Sequence, residues 1–274
     1  RMIRQKVAFW GHGKNFQSRN PRGVSERLKI WMTRRADWFF AYNDLSASIA
    51  VANGFPGGKI TSVQNAVDTT LLQNLRSKLT DRDLAEVRRA LNTTSEHLGI
   101  YTGGLYSEKR LPFLFDACTI IRKAIPDFEL IVIGKGPDES IVREAARKAP
   151  WIHYVGAKND AEKVPFWAVS KVLLMPGLVG LVVLDSFALG VPMVTTNYPY
   201  HSPEIAYLED NVNGVIVKPS DDVQAYAGAV TDLLMNPARH AELARNGKEA
   251  AAIFTIENMA ERFAAGVRNI LTKR

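Results

Sequence analysis

From residue 97 onward the sequence repeats one unit: a short β-branched or apolar run, a loop, then a stretch with helical spacing. Such alternation builds a parallel sheet covered by helices on both faces, because parallel strands need a crossover and that crossover is usually a helix. Strands are predicted over 98–102, 129–133, 153–155, 172–175, 193–196 and 215–217, and helices over 111–124, 139–148, 161–169, 181–189, 203–209 and 221–235. Ser202, Ser220 and Thr255 stand where helix N-caps are expected, with Pro203 at a first helical position. The run 172–194 is apolar enough to raise a membrane span, which needs roughly 20 residues. Pro176, Gly177, Gly180, Asp185, Gly190 and Pro192 cut it instead into strand, loop, helix and strand.

The region before residue 97 carries strands over 6–10, 38–42 and 60–64 and helices over 25–35 and 45–52. It reads as a partial α/β domain over 1–69, the second half of a unit whose first half is absent, so the chain is expected to be a fragment. The polar helical segment 70–92 makes 70–96 a connector. Residues 97–254 form the complete Rossmann-like domain, and the amphipathic helix 256–271, within 255–274, packs back across the boundary.

The lone cysteine, Cys118, lies in an apolar helical run, which excludes a disulfide framework and favours a buried thiol in a reducing compartment. With no leader pattern at the start, a cytoplasmic protein is expected. The net charge of +7 is concentrated early, where Arg1, Arg4, Lys6, Lys14, Arg19, Arg22, Arg27, Lys29, Arg34 and Arg35 face only Glu26 and Asp37. With Trp31 and Trp38 nearby, this patch is expected to meet the inner membrane face peripherally, where a lipid-linked acceptor would reside. A solvated basic face satisfies the same pattern. Nucleic acid is not expected, since no recognition motif accompanies the charge.

Ligands of an open parallel sheet gather beyond the carboxyl ends of the strands, so the loops there carry the chemistry. After 98–102 come Gly103 and Gly104, then Lys109 and Arg110 at a helix start, a combination that suits a diphosphate; a tight turn with a solvated basic pair is the alternative. Gly134 and Gly136 follow the next strand and would let a base or ribose lie against backbone; a plain turn is the alternative. Leu178, Val179 and Gly180 offer backbone amides to sugar or phosphate oxygens. Asp185, alone among apolar neighbours, needs hydrogen-bond donors: ribose hydroxyls, neighbouring backbone or a basic side chain. His201 and Glu204 flank the start of the helix at 203. In the front region Gly11-His12-Gly13-Lys14-Asn15 follows a strand directly, and His12 reads either as an acid, base or sugar ligand, or as a structural histidine. No His or Cys cluster has metal-ligand spacing, and no nucleophile elbow occurs.

Taken together, residues 59–68 (KITSVQNAVD), 101–110 (YTGGLYSEKR), 129–137 (ELIVIGKGP), 180–196 (GLVVLDSFALGVPMVTT) and 202–217 resemble the retaining glycosyltransferases of family 4, with the two-domain GT-B fold. The resemblance implies transfer of a sugar from a nucleotide diphosphate donor, a UDP- or GDP-sugar, to a saccharide or lipid-linked saccharide in envelope or exopolysaccharide assembly, with no obligatory metal or other cofactor. It places Lys109 on the donor diphosphate, Asp185 on the ribose in place of the second glutamate of the family's pair, and His12 near the donor sugar. Gly104 replaces a usual arginine and Gly177 the first glutamate, so neutralisation falls to Lys109 and Arg110, and sugar contact to the backbone of 178–180. A nucleotide-sugar-binding protein without catalysis, or an epimerase or phosphorylase on the same architecture, are the alternatives.

Overall fold

The computed structural model describes residues 5–14 and 23–272. Arg1, Arg4, Arg19 and Arg22 of the basic patch, and Asn15 of the loop beside His12, lie outside them. Two parallel sheets organise the chain. The first contains β1 (Ala8–Gly11), β2 (Trp38–Ala41) and β3 (Ile60–Ser62), in that order. In the second, β4 (Leu98–Thr102), β5 (Glu129–Ile133), β6 (Ile152–Gly156), β7 (Val172–Met175), β8 (Met193–Thr196) and β9 (Gly214–Val217) are arranged β6-β5-β4-β7-β8-β9. Strand order therefore reverses between β4 and β7, which pair through Gly99↔Val172 and Ile100↔Leu173. The crevice beyond the carboxyl ends of two such strands is where open α/β sheets bind ligands.

The central strands are near-continuous apolar runs because both of their faces are buried; every residue of β7 and β8 is buried. Four strands lie at the residues the sequence pattern predicts, and β6 and β9 differ only at their ends. In the small sheet, the alternation of β2 divides two cores. Phe39 and Ala41 join Ala36, Ala50 and Phe55, whereas Trp38 and Phe40 join Val63.

Helices α1 (Val24–Thr33) and α2 (Asp44–Ala52) belong to the front region. The polar segment 70–92 is two helices, α3 (Thr69–Ser77) and α4 (Asp81–Leu91), because Thr80 and Asp83 form a reciprocal capping box that starts the second. Further on come α5 (Leu111–Ala124), α6 (Glu139–Lys148), α7 (Asp160–Val169), α8 (Val182–Leu189), α9 (Val223–Met235), α10 (Pro237–Ala251) and α11 (Ile256–Thr272). Helix α10 is absent from the sequence-based assignment, although Asn236, whose side chain accepts from Arg239 N, and Pro237 supply its start signal.

The helix expected at 203–209 is instead a 3₁₀ turn over Pro203–Tyr207. Ser202 makes no capping bond, and the Asn213 side chain takes the Tyr207 carbonyl and the Glu209 amide, ending the turn. Ser220 does not cap α9; Asp222 does, accepting from Ala225 N. Thr255 does cap, accepting from Asn258 N at 3.1 Å. Cys118 is fully buried in α5, and burial pushes its thiol up. Among the described residues no helix is long and apolar enough to cross a membrane.

Helix α11 closes the molecule onto the small sheet. Phe263 stacks on Phe40 with ring centroids 4.2 Å apart, and Gly266 lies so close that an added Cβ would sit 2.4 Å from the Phe40 ring and 2.7 Å from Thr61 Oγ1. Gly266→Val is expected to cost about 1–3 kcal/mol through overpacking. Helix propensity alone would favour the substitution. A urea midpoint that falls with an unchanged slope fits this packing; an unchanged or raised midpoint contradicts it.

Candidate functional site

Four loops converge at the switch point, and their glycines set how closely they approach. A Cβ on Gly134 would lie 1.9 Å from the Gly103 carbonyl oxygen, and one on Gly136 would lie 2.2 Å from that of Leu105. Leu105 N donates to Lys135 O at 3.0 Å, and Asp138 N to Leu105 O at 3.0 Å. The space that the sequence reading gives to a base or ribose at Gly134 and Gly136 is thus filled, on the Cβ side, by the backbone of 103–105. Gly177 is similar: a Cβ would meet Glu108 O at 2.2 Å and the Lys109 backbone. At Gly104 the same space holds the Tyr106 ring, while Tyr101 Oη donates to Gly104 O at 2.7 Å. A larger residue at 104 or 177 requires its neighbours to move.

This close approach buries Lys109, at the end of the 3₁₀ turn Ser107–Lys109, to 5 % exposure. Its ammonium donates to Leu178 O at 2.5 Å and lies 5.4 Å from the centre of the Tyr106 ring. No carboxylate pairs with it among the described residues, and burial brings it down to about 8. A buried ammonium held by one neutral oxygen keeps donor capacity and charge for an incoming anion. Arg110 adopts a left-handed conformation (φ 57°) and donates to the carbonyls of Pro176 and Ser220, with its guanidinium over Phe113 at 4.2 Å. In this structure it braces two loops, a role the sequence reading does not give it.

The backbone of 178–180 departs from the expectation of three free amides. Leu178 N donates to Glu108 O at 2.8 Å and Val179 N to His201 Nδ1 at 3.0 Å. Gly180 N alone of the three has no acceptor among the described residues. His201 is 7 % exposed and donates from Nε2 to Thr196 O at 2.8 Å. Burial lowers its basicity, and the charge of Lys109 adds to this against a raising hydrogen bond at Thr196.

Asp185, on α8, is 7 % exposed and its partner is basic: Lys163 Nζ of α7 lies 2.7 Å from Oδ2 and 2.8 Å from Asp160 Oδ1. Burial pushes Asp185 up and Lys163 opposes that; burial pulls Lys163 down, but the two carboxylates outweigh it. No described residue donates to Oδ1, the oxygen left for a hydroxyl. The sequence reading leaves a basic partner open for Asp185 without finding Lys163, which is 22 residues away on another helix.

His12 follows β1, its ring edge-on to Tyr42 at 4.1 Å. Burial lowers its basicity and the Glu204 carboxylate opposes this. Glu204 is buried and accepts from Asn65 Nδ2 at 2.9 Å, a seam continued by Asn43 Nδ2 to Pro203 O at 2.6 Å and Tyr207 Oη to Asn65 O at 3.1 Å. Glu204 therefore ties the two sheets together, beyond any interaction with a helix dipole.

A family model described as glycosyl transferases group 1 matches residues 96–236. The phosphatidyl-myo-inositol mannosyltransferase of Mycobacterium leprae is 27 % identical over 153 residues, covering 54 % of this chain and 40 % of the relative. The UDP-N-acetylglucosamine–peptide N-acetylglucosaminyltransferase GtfA subunit of Streptococcus pneumoniae is 25 % identical over 138 residues, 47 % of this chain and 27 % of the relative. The chain thus spans less than half the length of these relatives. Among solved structures, Anabaena HepE in complex with UDP superposes with a TM-score of 0.79 at 16 % identity, covering 97 % of this chain and 72 % of that one. The pneumococcal O-GlcNAc transferase in complex with UDP and GlcNAc gives 0.73 at 19 % identity, covering 98 % and 53 %. The architecture is GT-B.

The Lys163–Asp185 pair gives a direct test of how the site is held. Lys163→Met should cost about 3–5 kcal/mol by leaving a buried carboxylate without its countercharge. The double variant Lys163→Met/Asp185→Leu should recover most of that loss in urea unfolding. Losses that simply add would show that the two side chains do not depend on each other.

Proposed function

Because this chain belongs to the glycosyl transferases group 1 family, we propose that it moves a sugar from a nucleoside diphosphate donor to a saccharide or lipid-linked saccharide acceptor, with retention at the anomeric carbon. The observation that carries this reading is the buried ammonium of Lys109, without a carboxylate partner among the described residues, at the switch point between β4 and β7. The UDP and UDP-glucose complexes of HepE support a donor of this class. As the anomeric bond breaks, negative charge builds on the diphosphate; Lys109 and the Gly180 amide stabilise that charge more than they stabilise the ground state. Asp185 Oδ1 takes the ribose. His12, partly buried, meets the donor sugar from the front sheet.

An acceptor at a membrane surface is supported by α1, where Val24, Leu28, Trp31 and Met32 are exposed beside Arg27 and Lys29, with Arg34 and Arg35 directly after the helix. Apolar and cationic groups on one short helix suit an anionic lipid surface. A second reading, donor binding without transfer, is favoured by Gly104 and Gly177, where the Tyr106 ring and the 108–109 backbone take the space of the usual side chains.

A thermal-shift panel of UDP, GDP, ADP, CDP and dTDP tests the donor class. One nucleotide should stabilise the chain by about 2.7 kcal/mol at a hundredfold excess over Kd. Lys109→Ala should lose the response to the diphosphate while retaining that to the nucleoside, and it should lower turnover more than nucleoside binding. No response to any nucleotide contradicts the donor site; a response with no transfer to any acceptor establishes the second reading.

The pH dependence of binding follows from Lys109, whose ordinary value of 10.5 falls to about 8. An anion favours the ammonium, which is present below that value, so UDP-glucose affinity should be level near pH 7 and weaken above pH 8, by up to about tenfold per unit. Calorimetry between pH 7 and 8.8 checks this, and an affinity constant across the range contradicts it.

A further inference from the structure

The peptide unit between Leu178 and Val179 is gripped at both ends. Its carbonyl accepts from Lys109 Nζ at 2.5 Å, and its N–H donates to His201 Nδ1 at 3.0 Å. An amide can only donate and a carbonyl can only accept, so the Val179 and Thr196 contacts fix His201 as the neutral tautomer protonated on Nε2. Thr196 Oγ1 also holds Pro176 O at 2.8 Å, so the end of β8 fastens the loop after β7 directly at Pro176 and through His201 at Val179. The next amide along, that of Gly180, has no acceptor among the described residues.

We propose that His201 is a positioning residue for the donor site: it fixes the Leu178–Val179 peptide plane so that its carbonyl faces Lys109 and the Gly180 amide is presented to the ligand. The inference rests on the nucleotide-sugar reading above. Without the imidazole acceptor the N–H side of this peptide plane is no longer held, while the flanking Leu178 N–H and Val179 carbonyl stay bonded to Glu108 O and Ser202 N, so the Leu178 carbonyl that orients Lys109 is less firmly fixed. Protonation has the same effect, because an imidazolium turns an N–H toward the Val179 N–H. The groups facing the ring are the Lys109 ammonium and, edge-on at 5.9 Å, the Tyr198 ring, while Glu204 on the same segment is turned to Asn65. Burial and Lys109 both disfavour the imidazolium, so the clamp holds at neutral pH and opens on the acid side of 6.5. The sign follows: donor affinity is full above that pH and is lost as pH falls.

The test uses the whole chain and two probes without phosphate ionisations in the range, UDP-glucose and GDP-mannose, titrated by calorimetry from pH 5.5 to 8. Wild type should bind one of them with an affinity that falls in acid. His201→Gln carries a carbonyl to accept from Val179 and an amide to donate to Thr196, and it does not titrate. It should bind within about threefold of wild type at pH 7.5 and lack the acid fall, because one neutral hydrogen bond is retained on each side. His201→Phe fills the volume without either bond and should bind about tenfold more weakly at every pH, a loss of about 1.4 kcal/mol. If His201→Phe does not fold, the acid limb of wild type and its absence in His201→Gln decide the matter. Wild-type affinity in His201→Phe, or an acid limb that persists in His201→Gln, overturns the positioning role while leaving the donor site intact. Binding of neither probe, nor of ADP-, CDP- or dTDP-glucose, by wild type at pH 7.5 overturns the donor site itself, and this inference with it.

Discussion

The ammonium of Lys109 against the Leu178 carbonyl is the contact on which the rest of the site depends. It brings the segment after β4 onto the loop after β7, the two strands at which the sheet reverses its order. An ammonium so buried, with one neutral acceptor, is costly. The surrounding loops are shaped to maintain it. Gly177 lets the 108–109 backbone pass close by, Gly134 and Gly136 let the 103–105 backbone settle beneath, and Arg110 and Thr196 hold Pro176 from two sides. Under the proposed donor-site assignment, a diphosphate would relieve the cost that Lys109 carries, so the feature that weakens the fold would be the one that serves the ligand.

The two sheets contribute differently. The six-stranded sheet supplies a rigid, two-sided core and the loops just described. The three-stranded sheet supplies His12 and the amides Asn43 and Asn65, which fasten onto residues 203–207, while α11 crosses back to stack Phe263 on Phe40. Glu204 takes part on both counts, bound to Asn65 and raising the basicity of His12 against burial. A ligand held by Lys109 and approached by His12 would therefore be sensed on both sides of one hydrogen-bonded seam.

Much of this architecture was legible because buried parallel strands are nearly continuous apolar runs: β4, β5, β7 and β8 lie where the pattern places them. Helix α10 was missed because its residues are mostly small or polar, so its periodicity is weak beside the Asn236-Pro237 signal. In the site, Lys109 stands out in the sequence as half of a basic pair at a helix start after Gly103 and Gly104, and Asp185 as a lone charge in apolar surroundings, which demands a partner. What that partner is cannot be read locally: Lys163 meets Asp185 only after α7 and α8 pack. The glycines show the same limit. Gly134, Gly136 and Gly177 signal that something comes close, but sequence does not distinguish a ligand from the chain's own backbone. The amides of Leu178 and Val179 were expected to be open for a related reason, as their acceptors, Glu108 O and His201 Nδ1, come from distant segments.

The most direct measurement is the crystal structure of the chain soaked with UDP. The expected result is diphosphate density within hydrogen-bond distance of both Lys109 Nζ and Gly180 N, with the ribose against Asp185 Oδ1. Nucleotide bound elsewhere on the molecule, or density at the switch point that leaves Lys109 on Leu178 with no phosphate contact, would contradict the assignment of Lys109 as the centre of the donor site.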